Sequence, residues 1–124
     1  MTRLASALLL ALTLGLAACG GGGGAASGQP SGSVKVVMTD YKYSPSTLTV
    51  PSGKVTFFLV NQGNTSHDMV IDDSSGSQVA KSDLVTPGNS ATFTVANLPK
   101  GSLTFFCDVP GHRELGMQGT LTAS

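Results

Sequence analysis

The sequence predicts an all-β fold, an antiparallel Greek-key sandwich of about seven or eight strands, from three observations. Residues 34–124 hold short runs rich in β-branched and aromatic side chains. Turn residues punctuate these runs at regular intervals. No run repeats its apolar positions with a helical period. In chain order, strands are expected at Val34–Thr39, Thr47–Val50, Val55–Val60, His67–Ile71, Ala91–Val95, Leu103–Cys107 and Met117–Thr122. The separators are Ser44-Pro45, Pro51-Ser52-Gly53, Gly63-Asn64, Pro87-Gly88-Asn89 and Pro99-Lys100-Gly101. Residues 72–90 are polar and Ser-rich. They read as a loop with one irregular strand, or as a short helical turn.

Ahead of this domain, residues 1–18 carry one cation, Arg3, and then the apolar run from Leu4 to Leu12, the pattern of a secretory signal. The uncharged stretch Leu4–Ala18 is shorter than the roughly 20 residues of a spanning helix. It ends Leu16-Ala17-Ala18-Cys19-Gly20, which resembles the lipobox of bacterial lipoproteins. That resemblance implies cleavage before Cys19 and lipidation of its sulfur. An ordinary secretory signal that happens to contain Cys19 is the plainer alternative. Residues 20–33 lack charges and large apolar groups, so they cannot bury enough surface to fold. With Cys19 they form an expected tether of about 20 Å root-mean-square span. The chain is then expected outside the cell, lipid-anchored to the outer face of the cell membrane or to a periplasmic membrane face.

Charge excludes some partners. The chain has seven Lys/Arg and seven Asp/Glu, so losing Arg3 with the leader leaves a net charge of about −1. No basic field is present for nucleic acid, and no polybasic run for anionic lipid. The domain is expected to be a monomer. Of the two cysteines, Cys107 alone lies in the domain, so no intramolecular disulfide can form there once Cys19 is lipidated. A free thiol in an exported protein is a reactive liability, which argues for a bound partner.

The residues with ligand chemistry are few and clustered. Cys107, His112 and Met117 fall in one segment, Cys107-Asp108-Val109-Pro110-Gly111-His112-Arg113-Glu114-Leu115-Gly116-Met117, and His67 begins a strand upstream. A thiolate, two imidazoles and a weak thioether are the donor set of a blue-copper site. Soft sulfur suits Cu(I), imidazole accepts either oxidation state, and a fixed arrangement limits rearrangement on electron exchange. The Pro110-Gly111 turn brings His112 back toward Cys107, and Met117 opens the next strand.

At these residues the sequence resembles the cupredoxin family of type 1 blue copper proteins, which includes auracyanins, rusticyanins, plastocyanins and azurins. The Cys-x4-His-x4-Met spacing is similar to that of the auracyanin and rusticyanin loops. Leu48-Thr49-Val50-Pro51-Ser52-Gly53, Val55, Phe57 and Asn61 ahead of His67 resemble the family's strand pattern. The likeness spans residues 34–124. It implies one copper held by Cys107, His67 and His112, with Met117 as a long axial ligand. It also implies a surface edge of His112 as the electron port, within an apolar docking patch of Val109, Pro110, Gly111, Leu115 and Gly116. The expected function is single-electron transfer between redox proteins. A membrane-bound respiratory or nitrogen-oxide complex is the natural class of partner, and no substrate is transformed on the chain itself.

Two departures from the family pattern stand out. Asp68 and Asp108 occupy positions where many members carry Asn and Ser or Thr. If the two acids adjoin, one should hold its proton to higher pH. The reduction potential would then vary with pH, and a potential flat from about pH 5 to 8 would exclude this. The alternative is that both acids face water. Phe106 stands where some members have Tyr, which argues against a phenol port there.

Each ligand residue taken singly reads as packing: a core cysteine, a satisfied histidine, a buried methionine. A cysteine hydrolase would need an oxyanion hole and usually a helix N-terminus for its nucleophile, and neither is visible. Structural zinc wants four firm donors, and Met is a poor fourth. Copper storage or delivery uses the same metal and remains the alternative function, although a strand-end thiolate and a loop-fixed imidazole favour retention.

Overall fold

The computed structural model describes residues 28–124; the leader, the lipidation candidate Cys19 and the tether up to residue 27 lie outside it. Residues 28–33 form a turn, in which the Ser33 amide donates to Pro30 O. Nine strands follow: β1 (Val34–Thr39), β2 (Lys42–Ser44), β3 (Thr47–Val50), β4 (Gly53–Asn61), β5 (Val70–Asp72), β6 (Gln78–Lys81), β7 (Ser90–Leu98), β8 (Gly101–Phe106) and β9 (Gln118–Ala123). They build two sheets, ordered β2-β1-β4-β7 and β3-β9-β8-β5-β6.

Alternation along the strands sets the two inner faces, as a half-buried pleat requires. In β7, Phe93 and Val95 are buried between exposed neighbours, and in β9 Leu121 and Ala123 are. The core joins Val36, Met38, Phe57, Leu59, Ile71, Phe105 and Leu121, and it runs without a break to Cys107 and Met117. The ligand segment thus grows out of the core rather than lying upon it.

The sheets are mixed, unlike the antiparallel sandwich expected. β1 pairs parallel with β4, and β3 parallel with β9. The reason lies in the connections. The chain leaves the first sheet after β2, runs β3 in the second, and re-enters the first as β4 beside β1. A strand's residue pattern specifies its buried face but not its partner's direction. Strand β2, three residues long, was not expected, and β6 is the one irregular strand allowed for within the polar stretch 72–90, not a helical turn.

Gly119 marks a close approach between strands. It pairs with Phe105 across β8–β9, and a Cβ there would overlap the Phe105 ring and the backbone oxygen of Ser46. Backbone cannot swing aside as a side-chain end can. Gly119→Ala should therefore cost about 1–3 kcal/mol of stability by overpacking, read as a lower denaturant midpoint. An unchanged midpoint would show that the strands part freely at this position.

Candidate metal centre

Three donor atoms meet at one end of the sandwich. His67 Nδ1 lies 3.1 Å from His112 Nδ1, and Cys107 Sγ lies 3.9 Å and 3.5 Å from these two nitrogens. All three residues are buried; Cys107 and His67 have no exposure and His112 has 7%. Trigonal donors with bonds of about 2.0–2.3 Å would stand about 3.5–4.0 Å apart. The observed spacing needs only a small opening to accept one ion.

Local hydrogen bonds explain why these side chains converge. Cys107 lies just past β8 and Met117 just before β9, and the Cys107 amide donates to Met117 O at 3.1 Å. Inside that closure, the His112 amide donates to Val109 O at 3.0 Å and the Met117 amide to His112 O at 3.1 Å. Gly111 and Gly116 take positive φ, 85° and 105°, which the tight turns demand. His67 does not begin a strand as expected. It forms an isolated bridge with Val85, while β5 starts at Val70. Pairing is interrupted because Ser82 Oγ, rather than a backbone carbonyl, accepts the Met69 amide.

Asn61 braces the approach to His67. Its side-chain amide donates to Thr65 O at 2.8 Å and to Val85 O at 2.7 Å, and its oxygen accepts the Gly63 amide. On the outer side of His67, Asp40 Oδ1 lies 2.7 Å from Nε2. The Asn64 amide, His67 and Thr65 around the Asp40 carboxyl hold it well below the usual carboxylate range. Tyr41 packs edge-on against His112, with centroids 4.7 Å apart. Neither Asp40 nor Tyr41 was singled out from the sequence. They sit in a turn between β1 and β2 that carries no motif.

The two acids that depart from the family pattern do meet. Asp68 is buried, with 1% exposure, so it does not face water. Its Oδ1 accepts the Asp108 amide at 3.0 Å, which ties the two ligand segments together. Lys81 bridges the acids, through an ion pair with Asp108 and a 3.6 Å approach to Asp68 Oδ2. Burial raises the Asp68 carboxyl, while the Asp68 side chain and Lys81 lower that of Asp108. Phe106 is capped by the Arg113 guanidinium, 3.8 Å above its ring. Of the expected docking residues, Val109 is half-buried, while Pro110, Gly111, Leu115 and Gly116 are exposed.

The donor chemistry suits copper. Burial raises the Cys107 thiol, so metal uptake must displace a proton from it. Burial, and then the neighbouring His67, lower His112 and favour the neutral imidazole that a ligand needs. A β-sandwich with two imidazole nitrogens and one thiol sulfur converging in a dry pocket defines a mononuclear copper protein, and the cluster fits a type 1 site.

The comparisons supply the family. The chain belongs to the cupredoxin family: a model described as a cupredoxin-like domain matches residues 5–123. Dithionite-reduced auracyanin from Roseiflexus castenholzii is similar at 21% identity and TM-score 0.67, over 77% of this chain and 99% of its own. Auracyanin A of Chloroflexus aurantiacus, a blue copper protein, is similar at 20% identity and TM-score 0.62, over 75% and 100%. A copper-containing nitrite reductase from Thermus scotoductus shares the fold at 20% identity and TM-score 0.56, over 74% of this chain but 22% of its own. No curated protein matched. Family and neighbours together support copper as the cofactor and electron transfer as the general function.

Tyr43 tests how the pocket is braced. Its hydroxyl donates to Asp68 O at 2.6 Å, and its ring packs edge-on against Phe105. Tyr43→Phe should keep the packing but strand a buried carbonyl beside His67. We expect a loss of about 1–3 kcal/mol in copper-free stability, measured by denaturant unfolding. No change would mean that the carbonyl finds another donor.

Proposed function

We propose that this protein is a type 1 blue copper electron carrier that shuttles single electrons between membrane-associated redox proteins. The observation that carries the reading is the buried convergence of Cys107, His67 and His112, with His112 alone retaining an exposed edge. Copper bound there supplies one-electron exchange between Cu(II) and Cu(I). Cys107 would give the thiolate, His67 and His112 the imidazoles, and the fully buried Met117 a weak thioether. The protein's part is rigidity. The closed loop from Cys107 to Met117 and the bridge at His67 hold the donors in place before metal arrives. The chain positions and insulates the site and transforms no substrate itself.

Docking falls on the face around His112. Pro110, Gly111, Leu115 and Gly116 are exposed there, with Val109 half-buried among them. Leu115 is 63% exposed, and Leu84, a residue the sequence reading did not pick out, is 59% exposed beside Val109 and Pro110. A small apolar face suits the brief contacts of redox partners, whose interfaces lie at the low end of the size range. Respiratory or nitrogen-oxide complexes at a membrane are the proposed donor and acceptor. A lipid on Cys19 and the Gly-rich tether would keep a monomeric domain within reach of them at the outer face of the cell membrane or a periplasmic membrane face.

The test separates electron transfer from copper storage or delivery. The copper-loaded protein is cycled repeatedly between its oxidised and reduced forms in the presence of a competing Cu(I) chelator. An electron carrier gives a reversible one-electron wave and keeps its copper through the cycles. Transfer of most of the metal to the chelator within the first cycles would overturn the proposal in favour of copper delivery.

A further inference from the structure

Asp40 reaches His67 from the side away from the three donors. Its Oδ1 is 2.7 Å from His67 Nε2, while His67 Nδ1 faces His112 and Cys107. An ionised carboxylate has only acceptors, so the nitrogen it meets must be the one carrying hydrogen. That choice leaves Nδ1 with its lone pair directed into the pocket. The carboxylate is itself fixed, since Oδ2 accepts the Asn64 amide at 2.9 Å and Oδ1 the Thr65 hydroxyl at 3.0 Å. A second, independent feature accommodates it. A Cβ on Gly63 would overlap Asp40 Oδ1 and come within 3.0 Å of His67 Nε2. Gly63 takes no positive φ, so its lack of a side chain is needed for space and not for backbone conformation.

We infer that Asp40 is a positioning residue: with Gly63 giving it room, it fixes His67 in the Nε2–H tautomer and makes Nδ1 a stronger donor, lowering the reduction potential. A carboxylate on the far nitrogen of a ligating imidazole orients the ring and raises its basicity. The gain is larger for the more highly charged Cu(II) than for Cu(I), and the carboxylate's own negative charge acts in the same direction. The inference rests on the copper reading for its effect on potential. The tautomer does not, because it belongs to the metal-free protein.

The experiment has two arms. In the copper-free protein, long-range ¹H–¹⁵N correlation spectra report which nitrogen of His67 is protonated. We expect the Nε2–H form to dominate; a dominant Nδ1–H form would overturn the inference whether or not copper binds. In the copper-loaded protein, Asp40→Asn keeps the size of the side chain and removes its charge. We expect Cu(II) affinity to fall about 10–100-fold, with Cu(I) affinity falling less. A tenfold difference between the two losses raises the potential by about 59 mV for one electron. Gly63→Ala, which keeps the carboxylate but pushes it off the imidazole, should shift the potential in the same direction. A purely structural role would lower the unfolding midpoint and leave the potential unmoved, and that result overturns the inference. A wild-type protein with no intense visible band would instead reject the type 1 reading and leave the tautomer result to decide the role of Asp40.

Discussion

Two imidazole nitrogens and a thiol sulfur face one another within 3.9 Å in a space closed to water, and the rest of the structure serves to keep them there. These buried atoms have one another as hydrogen-bond partners, and the cluster would scatter unless the backbone around it were determined from several sides. Three independent braces do this. The segment from Cys107 to Met117 is closed by its own amides, and the bridge to Val85 fixes His67. The Asp68 carboxylate receives the Asp108 amide and binds one ligand segment to the other. Each brace pairs backbone amides or carbonyls, so satisfying the chain and shaping the site are one event.

The sandwich explains why the site lies where it does. Cys107 and Met117 stand at the facing ends of β8 and β9, neighbouring antiparallel strands whose connection must turn back on itself. His67 comes from the chain entering β5, which pairs with the other edge of β8. The donors are thus neighbours through strand order, although His67 is 40 residues from Cys107 in sequence. The same arrangement leaves the Pro110–Gly116 turn outermost. Exposed Pro110, Gly111, Leu115 and Gly116, with the charged Arg113 and Glu114 among them, therefore surround His112, the one of the three donors with an exposed edge. Electron exchange needs such asymmetry: a dry site, approached closely from one side.

Much of this was legible because the informative residues are scarce. With both histidines and only one cysteine in the domain, the metal cluster could be drawn from few candidates, and the structure brings those three together. Most strands were legible because runs such as Thr47–Val50 alternate buried and exposed residues. The parallel pairings were not, since nothing in β1 or β4 encodes which way its neighbour runs. Lys81 and Leu84 were hidden in a polar stretch without periodicity, and the pairing of β6 with β5 is what places Lys81 beside the two acids. Asp40 was hidden for a different reason. Its role depends on a turn of the first sheet reaching the loop before His67, a contact with no local signature. The acid pair was recognised as a question, and burial of one member with a lysine bridge answers it differently from acids that both face water.

The central claim is that Cys107 supplies a thiolate to copper within this cluster. Visible absorption of the Cu(II)-loaded protein, recorded beside Cys107→Ser, tests it most directly. The account predicts an intense blue thiolate-to-copper band that bleaches on reduction, returns on oxidation and is absent from the variant. A wild-type complex without that band, or a variant that retains it, would contradict the account.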